Sequence, residues 1–575
     1  MPSDARLEYL CIYNPDLDST GDNIDNQIVF YYSHDESENT DLRLRRLGLA
    51  QGIVEFGRGF ADGHPVSSID TAHTRIVLVQ FEEGWWVVAC VRLAITGEGT
   101  YNPREVSPAS MLQSQLSSAY RRWRMHHGTL ASLLETKSRE QVVDTLADWW
   151  RAWCGCWNVS FSGEGAPALY DAIRMVKGEL EEETVQVIES IIDKNISLLD
   201  MVVYRYDQDS PENQGCVWKG KGVLSATSQL DVLRWVYDCD NSDDPEVAYL
   251  EPSGFVYHMA KAADGSGSGS QSGKHSGDSH GSWTSSMSMS SVGTATVESL
   301  NKVMGIMSLN PMSNPFKSSG DDNDRVQEPA DDLTESRFMI GLTGSLEDDQ
   351  DDGQQTQRPV TSKKIHLQFG QSPFQMYNVV IYRRRPYTFA LVFDPDTTNL
   401  NDRAYYIGLH RHLASLVEPM FTSLSTSSTS ADQTNDQQHE RYTDKRFYYL
   451  VHDPNNGTIQ SSLPPIPVLP QLHELEKTDP AVAERMIMSR FEMIHVHQNV
   501  ASIAAECGTR ENERFFRTSR NWWVYWSRLA EDGREAIFVR KWTKSGKPPT
   551  DKSLLDVLGK DAKIWLDRYR YYGKV

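Results

Sequence analysis

Residues 74–95 read TRIVLVQFEEGWWVVACVRLAI, and this stretch decides the fold class. Two apolar runs, Thr74–Phe81 and Trp85–Ile95, flank the dipeptide Glu83-Gly84. Glycine after a polar residue is a tight-hairpin signal, because turns that match strand twist need positive φ. Upstream, Leu7–Tyr13 and Ile28–Ser33 are apolar runs of strand length on either side of the loop PDLDSTGDN. Between them and the hairpin lies 41–60, a predicted helix entered through the capping oxygens of Thr40-Asp41. Downstream, Ser107-Pro108 opens a helix through Arg124, since proline is favoured in a first helical turn. Another helix follows at Arg139–Trp153.

The same order, two strands, a helix, an antiparallel meander and a closing helix, recurs twice. The middle block offers strands at Leu199–Tyr206 and Cys216–Val223 and a helix at Thr227–Tyr237. Its meander is Phe255–Ala260, Lys364–Phe369, Asn378–Arg384 and Phe389–Asp394, closed by a helix at Asp402–Phe421. The last block has a strand at Phe447–His452, a helix from Asp479-Pro480 to about Val500, a hairpin around Asp532-Gly533 and a closing helix at Leu554–Tyr569. The expected fold is α/β: three α/β/α sandwiches with antiparallel sheets in series. The boundaries fall at 1–160, at 161–262 plus 363–425, and at 426–575. Residues 263–362 open with ADGSGSGSQSGKHSGDSHGSW and end in acidic sequence. Such composition buries too little apolar surface to offset its ordering entropy, so a disordered insertion is expected there.

Composition narrows the function. Lys and Arg number 57 against 79 Asp and Glu, a net charge of −22, the opposite of a chain that wraps nucleic acid. The longest apolar run is interrupted by Arg92, short of the roughly 20 residues a membrane span needs. The N-terminus lacks a basic start and an apolar centre, and seven cysteines form no disulfide framework; a cytosolic protein is expected.

The helix at 41–60 reads DLRLRRLGLAQGIVEFGRGF. Leu49, Ile53, Phe56 and Phe60 recur at helical spacing and are expected to cover the sheet. Gly48, Gly52, Gly57 and Gly59 leave other parts of it small. An interior glycine costs about 1 kcal/mol relative to alanine, so close approach by another backbone is the expected return, either the sheet beneath or a second subunit.

With LEYLCIYNP, IVFYYS, RLGLAQGIVEFGRGF and TRIVLVQFEEGWWVVA in view, residues 7–95 closely resemble the N-terminal longin domain of the CCZ-one family. The resemblance implies three longin-type domains and a heterodimer with a MON-one type longin subunit. It also implies guanine-nucleotide exchange on a late-endosomal Rab GTPase (Rab seven type), at the surface of the late endosome and the vacuole or lysosome. Exchange breaks no covalent bond. It needs a surface that binds the emptied GTPase better than the loaded one, so no cofactor, metal or catalytic cluster is expected. A longin-based scaffold or coat-type adaptor without exchange activity is the alternative.

The motifs agree with that expectation. Cys154 and Cys156 lack the CxxC spacing of a zinc site and sit among tryptophans. Ser268–His275 departs from a phosphate loop at both ends. His495 and His497 fall on different faces of one helix. For the partner- or Rab-binding surface the candidates are Gly48, Gly52 and Glu55, with Thr71 and Arg75 second; Phe56, Trp85 and Trp86 are expected in the core. For an anionic, phosphoinositide-bearing membrane the candidates are Arg383, Arg384 and Arg385, with further basic clusters at Arg121-Arg122-Arg124, Lys363-Lys364 and Arg540-Lys541. An amphipathic island at Thr296–Leu309 adds Leu300, Val303, Met304 and Met307.

Overall fold

The computed structural model describes residues 3–18, 24–35, 37–60, 66–95, 99–161, 172–176, 180–195, 197–206, 215–242, 336–343, 360–432, 447–454, 457–463, 490–501, 503, 512–529, 533–541, 562 and 564–567. The first sheet is built from β1 (Arg6–Tyr13), β2 (Ile28–Ser33), β3 (Ser68–Asp70), β4 (Thr74–Glu82) and β5 (Trp85–Arg92). All neighbours are antiparallel, in the order β2-β1-β5-β4-β3. The continuous apolar run of β5 explains its central place, since seven of its eight residues are buried. Gly84 turns the β4–β5 hairpin at a φ of 77°. A small ribbon, β6 (Ala94–Ile95) with β7 (Tyr101–Asn102), follows.

Helix α1 (Thr40–Phe60) covers one face of this sheet. Helices α2 (Ala109–His127), α3 (Leu130–Thr136) and α4 (Arg139–Cys156) cover the other, with Trp123, Trp149, Trp150 and Trp153 in its core. Their ends are satisfied locally. Ser138 and Gln141 form a capping box on α4. The Glu82 carboxylate accepts from the Leu130 and Ala131 amides, both at 3.2 Å, and from the Tyr120 hydroxyl.

Two further sheets repeat the plan. Strand β8 (Ile173–Arg174) comes first in the chain, and then helix α5 (Glu182–Lys194). The second sheet comprises β9 (Leu198–Arg205), β10 (Gly215–Trp218), β11 (Arg337–Ile340), β12 (Lys363–Leu367), β13 (Gln375–Arg384) and β14 (Tyr387–Phe393). Its order is β10-β9-β14-β13-β11, with β12 also on β13. Helix α6 (Ala226–Ser242), between β10 and β11, lies on one face; α5 and α7 (Arg403–Asp432) lie on the other. The third sheet contains β15 (Tyr448–Asp453), β16 (Thr458–Ser461), β17 (Glu513–Arg517), β18 (Trp522–Arg528) and β19 (Glu535–Lys541), in the order β17-β18-β19-β15-β16-β8. Helix α8, residues 490–501, packs on one face, and Ala562 and Leu566 pack on the other. With β8 set aside, the first two strands and the last three of each sheet fall in the spatial order 2-1-5-4-3. The α/β class and its antiparallel sheets are as expected, and the repeated order is consistent with three domains of one type.

Several boundaries move. Residues 263–362 do not all lie outside the folded part, because Arg337–Ile340 pairs with β13 and buries Phe338 and Ile340 on alternate positions. The second domain does not begin cleanly at 161. Phe161 and Ala172 enter the third core, and β8 runs parallel to β16. The Met175 amide donates to Ile459 and that of Val176 to Cys216, so this segment joins the third sheet to the second, edge to edge. The strand expected to reach Val223 stops at Trp218. There the chain wraps the buried Asp200 carboxylate, which accepts from the amides of Met201, Lys221 and Leu224. The expected strand Phe255–Ala260 and the island Thr296–Leu309, with Leu300, Val303, Met304 and Met307, lie outside the described residues.

Helix α2 joins the three cores. Most of it belongs to the first, Met111 enters the third and Met125 the second. Arg121 pairs with Asp231 at 2.9 Å, Arg122 with Asp238, and Arg124 with Asp231 at 3.5 Å, all across to α6. On the other side the buried Arg490 of α8 binds Glu105 at 2.8 Å and the Phe161 carbonyl at 3.3 Å.

Candidate interaction surface on helix α1

Of the apolar stripe expected beneath α1, Ile53 does pack at the edge of the core, but Leu49 and Phe56 point the other way. Leu47, Ala50 and Val54 are the buried contacts, over Tyr9, Cys11, Tyr13, Ile76, Leu78, Trp86, Val88 and Cys90. Large side chains already fill much of that sheet face, and the helix meets it with aliphatic groups and Ala50 rather than with Phe56. Leu49 stays 53% exposed and Phe56 67%. Phe56 therefore does not support the core. Trp85 and Trp86 do, one on each face of β5.

The outward face carries Arg45, Gly48, Leu49, Gly52, Glu55, Phe56 and Gly59, all exposed. A Cβ on Gly48, Gly52 or Gly59 would meet nothing within 4 Å. The sheet therefore does not require these glycines. Gly57 differs, since a Cβ there would sit 2.6 Å from the Val66 backbone nitrogen. The result is a shallow groove of glycines beside a ridge of Leu49 and Phe56, with Leu42 (41% exposed) about two turns nearer the helix start.

The helix is held firmly enough to present this face. Arg46 lies 4.2 Å from the Tyr9 ring centre and pairs with Glu38, while Arg43 lies 4.7 Å from the Tyr31 ring centre. Burial works against the Glu38 charge, but bonds from Ser33 and Tyr31, and Arg46 beside it, hold its carboxyl below the usual range. These contacts tie α1 to β1 and β2. The groove can seat a helix or a loop at short backbone distance. It has no nucleophile or base arranged for bond making, and among the described residues no group of three His, Cys, Asp or Glu is placed to hold a metal.

Thr71 and Arg75 are not part of this groove. Thr71 closes the β3–β4 turn, its hydroxyl accepting from Thr74 at 2.9 Å. Arg75 alternates with Ile76 on β4, so when Ile76 packs under α1, Arg75 reaches the opposite side. There it makes two 2.7 Å bonds to Asp70 and one of 2.8 Å to the Ser107 carbonyl. That guanidinium holds the Asp70 carboxyl below its ordinary value. Arg75 is thus a brace between the β3–β4 hairpin and the start of α2.

The basic candidates separate too. Arg383 is buried within β13, whereas Arg384, its last residue, and Arg385 beyond it are half-buried. The three do not present one cationic face. Arg121, Arg122 and Arg124 are interdomain ion pairs, and Lys541 pairs with Glu492. Among the described residues no helix is long and apolar enough to cross a membrane.

Residues 7–128 match the family model described as the first longin domain of INTU, CCZ1 and HPS4. The first domain is a longin domain. The chain is also similar to curated proteins named vacuolar fusion protein CCZ1 homolog. That of Xenopus tropicalis is 28% identical over 141 residues, 24% of this chain and 30% of that protein. That of Danio rerio is 26% identical over 144 residues, 24% of this chain and 29% of the relative. That of Dictyostelium discoideum is 24% identical over 147 residues, 25% of this chain and 33% of the relative. The match thus spans about a third or less of each relative's length, and together these likenesses support assignment to the CCZ1 family. The longin match contains the whole α1 face and its supporting sheet.

Sequence reading found Gly48, Gly52 and Glu55 but missed Leu42, Leu49 and Phe56 as surface groups. Part of the signal was present in the strands: Tyr9, Cys11 and Tyr13 alternate onto one face of β1, where Trp86 of β5 joins them and leaves little room for a phenylalanine from the helix above.

Proposed function

We propose that this protein is one subunit of a heterodimeric guanine-nucleotide exchange factor for a Rab GTPase of the late endosome and vacuole. Its partner is a MON-one type longin subunit, docked on the first longin domain. The observation that carries the reading is the outward face of α1. Gly48, Gly52 and Gly59 give up helix stability for no close contact among the described residues, and Leu49 and Phe56 lie exposed beside them.

A comparison within the molecule supports it. Helix α6 holds in the second sheet the place that α1 holds in the first. From Ser228 to Cys239 none of its residues is exposed, and α2 of the first domain lies against it through three arginines. This helix position is therefore a docking face, filled from within the chain in the second domain and left for another molecule in the first. Exchange on such a platform works by differential affinity: the pair binds the GTPase better without nucleotide than with it. The curated relatives' name, vacuolar fusion protein, supports a place in vacuole-related traffic. Arg384, Arg385 and the island at 296–309 are the proposed contacts to an anionic membrane.

The test is release of fluorescent GDP from a panel of Rab GTPases, with and without the partner subunit. Acceleration that needs both subunits and is confined to the late-endosomal Rab is expected. Binding without release would overturn exchange in favour of an adaptor; no association with either longin subunit or GTPase would overturn the reading entirely.

A further inference from the structure

At the C-terminal end of α2 three imidazoles converge where the first domain meets the second. His126 packs edge-on against Trp235 of α6 with ring centres 5.0 Å apart, and both its ring nitrogens are buried. His127 stacks on Trp123 at 5.2 Å. His366, on β12, accompanies them: a Cβ on Gly128, the residue that ends α2, would lie 3.2 Å from its Nε2. Histidine is the side chain whose ordinary titration lies nearest neutral pH, and three at one domain junction are not needed to close a core.

We infer that this junction is a proton-operated hinge, in which His126, His127 and His366 keep α2 seated on the second domain when neutral and loosen it when charged. The surrounding charges decide the sign. On α2 these are Arg121, Arg122 and Arg124; Lys137 follows α3; on β12 they are Lys363 and the exposed Lys364; on α6 they are Arg234, Asp231 and Asp238. The two carboxylates are already engaged, Asp231 by Arg121 and Arg124, and Asp238 by Arg122. Arg234 is turned to the Ser118 hydroxyl at 2.8 Å. A newly charged imidazole thus meets cations whose counter-charges are spent.

Burial first, and then Lys363, His127 and Arg122, hold His126 well below the ordinary imidazole value. Burial and Lys137 hold His127 at about 4. Burial also lowers His366, against a backbone contact at Met125 that works the other way. A base whose folded value is depressed is held neutral by the fold. Its contribution is fully present above the unfolded value near 6.5 and is lost as pH falls from there toward 4. The seat of α2 should therefore be closed at neutral pH and open progressively below about pH 6.5. Because α2 also carries the first longin domain, its release frees the direction in which α1 points. This inference is independent of the exchange-factor reading.

Hydrogen exchange of the full-length protein between pH 7.5 and 5.5, corrected for intrinsic rates, tests it. Peptides spanning residues 120–128 and 228–239 should show an opening equilibrium that is level down to about pH 6.5 and then approaches a tenfold rise per pH unit for each proton taken up, while peptides from β5 stay flat. His127→Gln with His366→Gln, both half-buried positions, should reduce that slope. The wild-type profile alone is decisive should the double variant fold poorly: junction peptides that track β5 across the range would overturn the hinge, as would a folded double variant that keeps the wild-type slope.

Discussion

Replacing Phe56 with alanine should separate folding from association. Phe56 is 67% exposed and contributes little to the core beneath α1. A phenylalanine side chain buries roughly 200 Å² when covered, so about two-thirds of that, ~135 Å², is left for a partner. At ~25 cal/mol per Å² this is an upper limit of about 3 kcal/mol, or about two decades in Kd. Ordering costs at an interface reduce the figure, so a 30- to 100-fold weakening, roughly, is expected. Melting of the free chain should move by no more than the equivalent of about 0.5 kcal/mol, as for other surface changes. Titration of labelled partner subunit against wild type and F56A, with thermal unfolding of each chain alone, measures both quantities. A Kd within threefold of wild type would refute the docking face. A collapse in melting temperature would refute the exposure on which the calculation rests.

Other consequences are as definite. Arg490→Ala leaves Glu105 in the buried contact between α8 and the first domain, and breaking such a pair costs about 3–5 kcal/mol; chemical denaturation of the full chain should show it. Gly220→Ala puts a Cβ on a φ of +94° and into the Asp200 carboxylate, so a loss of about 1–3 kcal/mol is expected in the same assay. Arg122→Ala and Asp238→Ala should each loosen α2 from α6, with the double variant costing less than the sum of the two, read by protection of residues 228–239. Gly52→Leu should leave melting within about 1 kcal/mol of wild type, because nothing lies within 4 Å of its Cβ and leucine favours the helix, yet it should abolish partner binding by filling the groove.

Much of the architecture was legible because its signals are local. The unbroken apolar run of β5 and the turn at Gly84 announce the hairpin without tertiary help. Ser138 with Gln141 marks the start of α4 as clearly. The errors arise where two elements must be considered together. Whether Phe56 or Val54 faces inward depends on how much volume Tyr9, Tyr13 and Trp86 already occupy, which helical periodicity alone does not contain. Arg121, Arg122 and Arg124 read as a cationic surface until Asp231 and Asp238, more than a hundred residues on, are brought opposite. Arg337–Ile340 is hidden in acidic sequence because four residues are too few to register a pattern; only its partner β13 reveals it.

The parallel pairing of Ile173-Arg174 with Thr458-Ile459 has a bearing on how the polypeptide is made. Ribosomes add about 5–20 residues per second, so the early strand waits on the order of half a minute for the late one to emerge. Until then the edge of β10 and the ring of Phe161 lack their final cover, and nascent chains are open to chaperones or to wrong neighbours. A premature stop after β14 would therefore remove more than the last domain: it would leave Ile173-Arg174 without its partner strand and the edge of β10 without the sheet that joins it there.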